Sequence, residues 1–267
     1  MNLGRGPSLL KLPGGRRYTE AMEKVGVLGV IPARLGSTRL PRKVLRLIAG
    51  RPMIEWVWQA AVDSGCIDRV VVATDSDEVA ELCHTRGIEA ILTSPECASG
   101  SDRVYEVSRK IDAGIYINIQ GDEPLLTPGH FAPMLALFDR PEVEVATVAV
   151  PCPTDDIANP NAVKVVTAQD SRALYFSRAT IPFDRDAIGF TGYCKHLGLY
   201  AYRKSALERF AALAPSPLEQ IERLEQLRML ENGIAIHVAA VDADTVGVDT
   251  QDDLERVEAI LKVRSSS

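Results

Sequence analysis

The chain has 267 residues, 46% hydrophobic and 25% charged, an ordinary globular composition with room for one large domain or two small ones. Its net charge of −6 and pI of about 5.4 argue against general binding of nucleic acid or an anionic membrane. No apolar run approaches the ~20 residues that cross a bilayer. Five scattered cysteines (Cys66, Cys83, Cys97, Cys152, Cys194) without Cys-x-x-Cys spacing fit a reducing compartment such as the cytoplasm, with neither a disulfide framework nor a zinc knuckle.

Residues 1–24, basic and rich in Gly and Pro over the first 21, lack the apolar centre of a signal peptide and predict a disordered extension. Val25 to Ile31 is a short, β-branched run stopped by Pro32, which predicts a buried first strand. A helix is expected from Pro52 to about Ser64, ended by Gly65. Arg69–Thr74 reads as a second strand with Asp75 just past it, followed by a helix capped by Asp77 and stopped by Gly87. Ile88–Leu92 is a third strand, Ser99 to Asp102 a turn opening a helix from Arg103 to about Lys110, and Ile115–Ile119 a fourth strand. This alternation predicts a mostly parallel α/β sheet sandwiched by helices.

After a helix near 129–138 and a strand at Val143–Val150, the pattern changes. Ala162–Thr167, Ala173–Arg178 and His196–Tyr202 alternate like antiparallel strands. Helices are expected at Lys204–Ala212 and Pro217–Leu230, a strand at Ile234–Val241, and a closing helix at about 250–263. The expected organisation is one domain over 25–263, with a mixed antiparallel insertion at about 159–230 and a tail at 264–267.

Within residues 30–43, Arg34, Arg39, Arg42 and Lys43 surround a Gly36-Ser37-Thr38 turn with no acid among them. A cationic run is commonly only a solvated turn. Here it follows a strand stopped by proline, so backbone N–H groups, hydroxyls and cations can meet an oligophosphate together. It is not a Walker A loop, and no Gly-x-Gly-x-x-Gly follows the strand. Asp122 and Asp249 each follow a strand-like run through a short turn. Singly, either is more often a turn or cap residue. Together with the basic loop they offer Mg²⁺ the one or two carboxylates it takes beside phosphate oxygens. In the second half, Arg178 and His196 stand at strand ends, and Tyr200 shares a strand face with His196.

Several stretches then occur in a fixed order: residues 30–43, Gln120-Gly-Asp-Glu-Pro124, Asn159-Pro-Asn-Ala-Val-Lys164, Tyr175-Phe-Ser-Arg-Ala-Thr-Ile-Pro182, His196-Leu-Gly-Leu-Tyr200, Pro217 to Glu222, Leu224-Glu-Gln-Leu-Arg228 and Gly247-Val-Asp-Thr250. Over about 26–263 the chain resembles the 3-deoxy-manno-octulosonate (Kdo) cytidylyltransferase, or CMP-Kdo synthetase, family of the sugar nucleotidyltransferases. The resemblance implies a nucleotide-diphospho-sugar transferase-like fold and a cytoplasmic homodimer paired through the insertion. It implies the reaction of CTP with Kdo to CMP-Kdo and pyrophosphate for lipopolysaccharide biosynthesis, with Mg²⁺. By the same resemblance Arg34, Ser37, Arg39 and Lys43 hold the triphosphate, with Lys43 and Arg39 acting in catalysis alongside the metal ligands Asp122 and Asp249. Ala33, Ser99, Gly100 and Arg103 fall on the cytosine and ribose side, and Gln120, Arg178, His196, Tyr200, Glu225 and Gln226 on the sugar-acid side. A cytidylyltransferase for 8-amino-Kdo or a sialic acid, or a non-catalytic nucleotide-binding module, are the alternatives.

The chain departs from the family pattern in three places. Arg42 and Val44 stand where the family usually has glycine and proline. Ser101-Asp102 replaces Thr-Glu, and the segment from Asp186 to His196 is shorter than usual.

Overall fold

A computed structural model describes residues 25–36 and 40–264. The expected N-terminal extension, Ser37, Arg39 and residues 265–267 of the tail lie outside them. The first strand, β1 (Val25–Ala33), leads to a small hairpin of β2 (Leu47–Ile48) and β3 (Arg51–Pro52). There follow α1 (Met53–Asp63), β4 (Arg69–Thr74), α2 (Asp77–Thr85), β5 (Ala90–Leu92), α3 (Gly100–Ser108), β6 (Ala113–Asn118) and α4 (Pro128–Ala136). The second half runs β7 (Val145–Pro151), α5 (Thr154–Ile157), β8 (Lys164–Thr167), β9 (Ala173–Ser177), β10 (Cys194–Arg203), α6 (Lys204–Ala211), α7 (Pro217–Glu222), α8 (Gln226–Glu231), β11 (His237–Ala240) and α9 (Gln251–Arg264).

Among the described residues the main sheet has the order β11-β7-β10-β6-β1-β4-β5, with β8 and β9 attached beside β10. Strands β5, β4, β1 and β6 pair in parallel, as the alternating first half predicts. The change of pattern after β7 is the antiparallel entry of β10 between β6 and β7. Side chains alternate across β1: Leu28 and Val30 join the layer under α3 and α6, while Ile31 and Ala33 join the layer under α1. This two-sided burial is why the strand is apolar throughout rather than alternating.

A third apolar cluster lies outside the two sheet faces. Leu254, Val257 and Leu261 of α9 pack with Leu40, Ile48, Met53, Leu125 and Val248. Each such buried side chain contributes about 1.5–3 kcal/mol. The cluster fastens α9 and the segment before it to the basic loop.

Three expectations are corrected. The helix over Pro217–Leu230 is two helices, because Arg223 takes a left-handed backbone (φ 55°) and leaves Glu225 at the start of α8. Ser76 rather than Asp77 caps α2, its hydroxyl accepting from the Val79 N–H at 3.3 Å. Helix α3 begins at Gly100 and not Arg103, since Ser99 and Asp102 form a reciprocal capping box. Asp102 therefore does the work of the glutamate it replaces.

Candidate functional site

Strand β1 delivers the basic loop to the carboxyl edge of the sheet, where α/β folds place their ligands. Beyond Leu40 the chain tightens into a short 3-10 turn, Lys43–Leu45, preceded by Arg42 in the left-handed region (φ 57°, ψ 34°). The conformation a glycine would adopt freely is thus kept with a side chain attached. The Arg42 guanidinium pairs with Glu78 of α2, and both side chains are largely exposed. Arg42 faces away from the cavity that Lys43 lines.

That cavity, about 330 Å³, is bordered by Arg34, Lys43, Ser99, Gly100, Arg103, Gln120, Asp122 and Asp249. Gly121 allows the Gln120–Pro124 turn to lie against β1, because a Cβ there would stand 2.9 Å from the Pro32 carbonyl oxygen. The Val248 N–H donates to the Asp122 carbonyl at 2.9 Å, drawing the Asp249 segment alongside. Asp122 and Asp249 then converge on the Lys43 ammonium, Asp249 Oδ1 at 3.0 Å. Burial disfavours the Lys43 charge, and the two carboxylates more than offset it, so its pKa is raised. Two acids that share one cation have the spacing to share another, and Mg²⁺ completes such a pair with phosphate oxygens and water. The residues present fit that ion.

Arg103 is almost fully buried, and its donors are engaged: Asp75 Oδ2 and Thr93 Oγ1 both at 2.6 Å. It ties α3 to the ends of β4 and β5, and α3 presents its capped N-terminus, Ser99 and Gly100, to the cavity. Ala33 is buried at the end of β1. Gln120 donates to the Gly198 carbonyl at 3.2 Å, at an irregularity in β10 between Leu197 and Tyr200.

A second cavity, about 770 Å³, opens beside the first, with Asp249 lining both. Arg178, Lys195, His196, Asn159 and Glu123 are among its walls. His196 Nε2 lies 3.0 Å from Thr147 Oγ1, whose hydroxyl donates to the Leu199 carbonyl at 2.7 Å. Thr147 has one hydrogen to give, so it accepts from His196 Nε2–H, and Nδ1 is left as an acceptor. Burial pushes the His196 pKa down to about 3, which keeps the ring neutral. Its ring meets Phe176 edge-on at 4.9 Å and Tyr200 at 5.3 Å, as the shared strand face requires.

Arg178 borders the second cavity, but its guanidinium also donates to the carbonyls of Glu222 (2.8 Å) and Pro160 (2.9 Å). Beneath it Lys164 is fully buried, its ammonium donating to the carbonyls of Asn159, Ala162 and Arg178 at 2.6–2.8 Å. Tyr200, Glu225 and Gln226 are not among the described residues bordering the two cavities. Glu225 accepts from Ser101 Oγ at 2.9 Å, and burial raises its pKa although Ser99 and Ser101 pull it back. Its charge is not the solvated face usual on a helix.

Two wall residues escaped the sequence reading. Lys195 joins Asp156 and Asp244 by ion pairs. Glu123 is pushed up to about 8, first by burial and then by the neighbouring Asp122. Neither has a spacing signal. Glu123 falls inside the Gln120–Pro124 motif, which could have pointed to it.

A family described as Cytidylyltransferase matches residues 28–236. A protein of Acidobacterium capsulatum named 3-deoxy-manno-octulosonate cytidylyltransferase is 65% identical over 243 residues, 91% of this chain and 99% of its own length. One of the same name from Koribacter versatilis is 53% identical over 241 residues, 90% and 92% of the two chains. Among solved structures, CMP:2-keto-3-deoxy-manno-octonic acid synthetase complexed with CTP is 42% identical with a TM-score of 0.86, covering 90% of this chain and 99% of that one. The inositol-1-phosphate CTP transferase of T. maritima, 14% identical with a TM-score of 0.62 over 88% and 94%, shares the fold alone.

Proposed function

The chain belongs to the 3-deoxy-manno-octulosonate cytidylyltransferase family, and from that premise we propose that it transfers CMP from CTP to the anomeric hydroxyl of Kdo. The observation that carries the reading is the pair of adjoining cavities that share Asp249, one bordered by Arg34, Lys43 and a helix N-terminus, the other walled by Arg178 and a neutral histidine. CTP lies in the first, its triphosphate against Arg34, Lys43 and the start of the loop. Kdo lies in the second, its carboxylate toward Arg178 and a hydroxyl donating to His196 Nδ1.

The Kdo hydroxyl oxygen forms a bond to the α-phosphorus as the bond to the bridging oxygen of pyrophosphate breaks, and the hydroxyl proton is released. Such transfer is accelerated mainly by holding the reactants in line and by offsetting developing charge. Lys43 and Arg34 supply that charge. Mg²⁺, held by Asp122 and Asp249, would add a Lewis acid and acidify the attacking hydroxyl.

The reading places the enzyme in the cytoplasm, supplying lipopolysaccharide assembly as a homodimer. Among the described residues no helix is long and apolar enough to cross a membrane. The insertion exposes Phe183, Ile188 and Ile221 at about 80% each, which supports pairing with a second copy, readable by light scattering.

The deciding experiment incubates the protein with CTP, Mg²⁺ and Kdo, 8-amino-Kdo or sialic acid in turn and follows pyrophosphate. Release with Kdo is expected. Release with another acid alone overturns the substrate, and CTP binding without turnover of any acid overturns the enzyme.

A further inference from the structure

Lys195 stands in β10 directly before His196, and only 18% of its side chain is exposed. Its ammonium is held from two sides of the sugar-acid cavity. Asp156 Oδ2 of α5 lies at 3.0 Å, and Asp244 Oδ2, on the segment after β11, at 2.9 Å. Burial works against the Lys195 charge, and the bonds to Asp244 and Asp156 more than offset it, so the lysine keeps its proton.

The segment that begins with Asp244 ends at Asp249. Four ties fix its path: His130 Nε2 with the Ala243 carbonyl at 2.8 Å, Lys195 with Asp244, the Val248 N–H with the Asp122 carbonyl, and Lys43 with Asp249. Lys195 supplies the charged tie at the start of the segment, as Lys43 does at its end. Without Lys195, the carboxylates of Asp156 and Asp244 would face each other with no cation between them, Asp156 keeping only its Asn159 hydrogen bond and the more distant Lys164 charge, and partly buried like charges repel. The side that can yield is the 241–250 segment, which contains no regular element until α9.

We propose that Lys195 is a positioning residue that, by clamping Asp244 to Asp156 across the second cavity, sets the path of segment 241–250 and hence the place of Asp249 at the junction of the two cavities. The inference rests on the reading of Asp249 as a ligand of the nucleotide-bound cation. It differs from a direct role in sugar binding, which KM for Kdo reads separately from Mn²⁺ affinity.

The test uses the full chain as Lys195→Met, Lys195→Arg and Asp244→Asn. Mn²⁺ binding is followed by electron paramagnetic resonance with a non-hydrolysable CTP analogue, alongside kcat and KM for Kdo at varied Mg²⁺. Lys195→Met and Asp244→Asn should each weaken Mn²⁺ binding about 10-fold, as loss of an outer-shell partner does, and raise the Mg²⁺ requirement to match. Lys195→Arg should recover most of both. Wild-type Mn²⁺ affinity in Lys195→Met overturns the proposal, as does a raised KM for Kdo with unchanged Mn²⁺ binding. If Lys195→Met does not fold, Asp244→Asn decides alone by the same criterion. Failure of the functional reading looks different: the wild-type chain would then release no pyrophosphate with any sugar acid, while the Mn²⁺ measurement still reads the clamp.

Discussion

Lys43 Nζ donates to Asp249 Oδ1 at 3.0 Å, although 206 positions of chain separate the two residues. The contact exists because the third apolar cluster folds α9 back onto Leu40 in the basic loop and onto Ile48 and Met53 just after it. Removing a carboxylate at this point should damage chemistry far more than folding. Asp122→Asn and Asp249→Asn are each expected to lower kcat by about 10²–10⁴-fold, with Tm within a few degrees of wild type by calorimetry. A variant keeping most of its turnover at saturating Mg²⁺ would count against the metal assignment.

Arg42 holds a left-handed backbone at a cost a glycine does not bear, and its ion pair with Glu78 is exposed and contributes little. Arg42→Gly should therefore stabilise the chain by up to about 1 kcal/mol in urea titrations. kcat/KM for CTP should change less than about threefold, because the guanidinium pairs with α2 and does not line the cavity that Lys43 borders. A large loss of CTP affinity would bring Arg42 into the triphosphate site.

Acid should destabilise the fold through His196. Its folded pKa of about 3 lies below the ordinary 6.5, so the unfolded chain takes up a proton that the folded chain refuses. The stability is intact above the unfolded value and falls as pH drops from about 6.5 toward 3, by up to about 1.4 kcal/mol per pH unit. His196→Gln should flatten that part of the stability–pH curve measured by denaturant unfolding, and an unchanged slope would contradict the neutral ring.

Lys164→Met would keep the apolar stem and strip three buried or part-buried carbonyls of their donor. The expected loss is about 3 kcal/mol of stability. KM for Kdo should rise with it, because the Asn159 turn and the Arg178 backbone form the cavity wall.

Arg178→Ala should raise KM for Kdo about 10-fold or more while leaving KM for CTP nearly unchanged. The reverse pattern in steady-state kinetics would move Arg178 to the nucleotide side.

The parallel half of the sheet was legible because Val25–Ile31, Arg69–Thr74 and Ile115–Ile119 are predominantly apolar and bounded by turn residues. The strand ends then located Lys43 and Asp122 at one edge. Boundaries slipped where side chains compete for helix starts: Ser76 stands one residue before the expected Asp77, and Ser99 with Asp102 starts α3 early. The break at Arg223 had no signal, since neither Gly nor Pro marks it. Lys195 lay just before the expected strand and drew no reading, because its partners Asp156 and Asp244 are brought together by pairing and not by spacing. Likewise, no periodicity told that Arg103 and Glu225 would be engaged by Asp75 and Ser101.

The clasp of α9 also has a consequence for the order of synthesis. A nascent chain that has emerged through β11 has every strand of the main sheet, yet Lys43 still faces Asp122 without its second acid. Asp249 follows only nine residues after Ala240, and it is pressed into place when Leu254, Val257 and Leu261 settle on the loop. The scaffold can thus be complete while the chemistry is not. Competence to turn over substrate would arrive late and abruptly, with the last apolar seam to close.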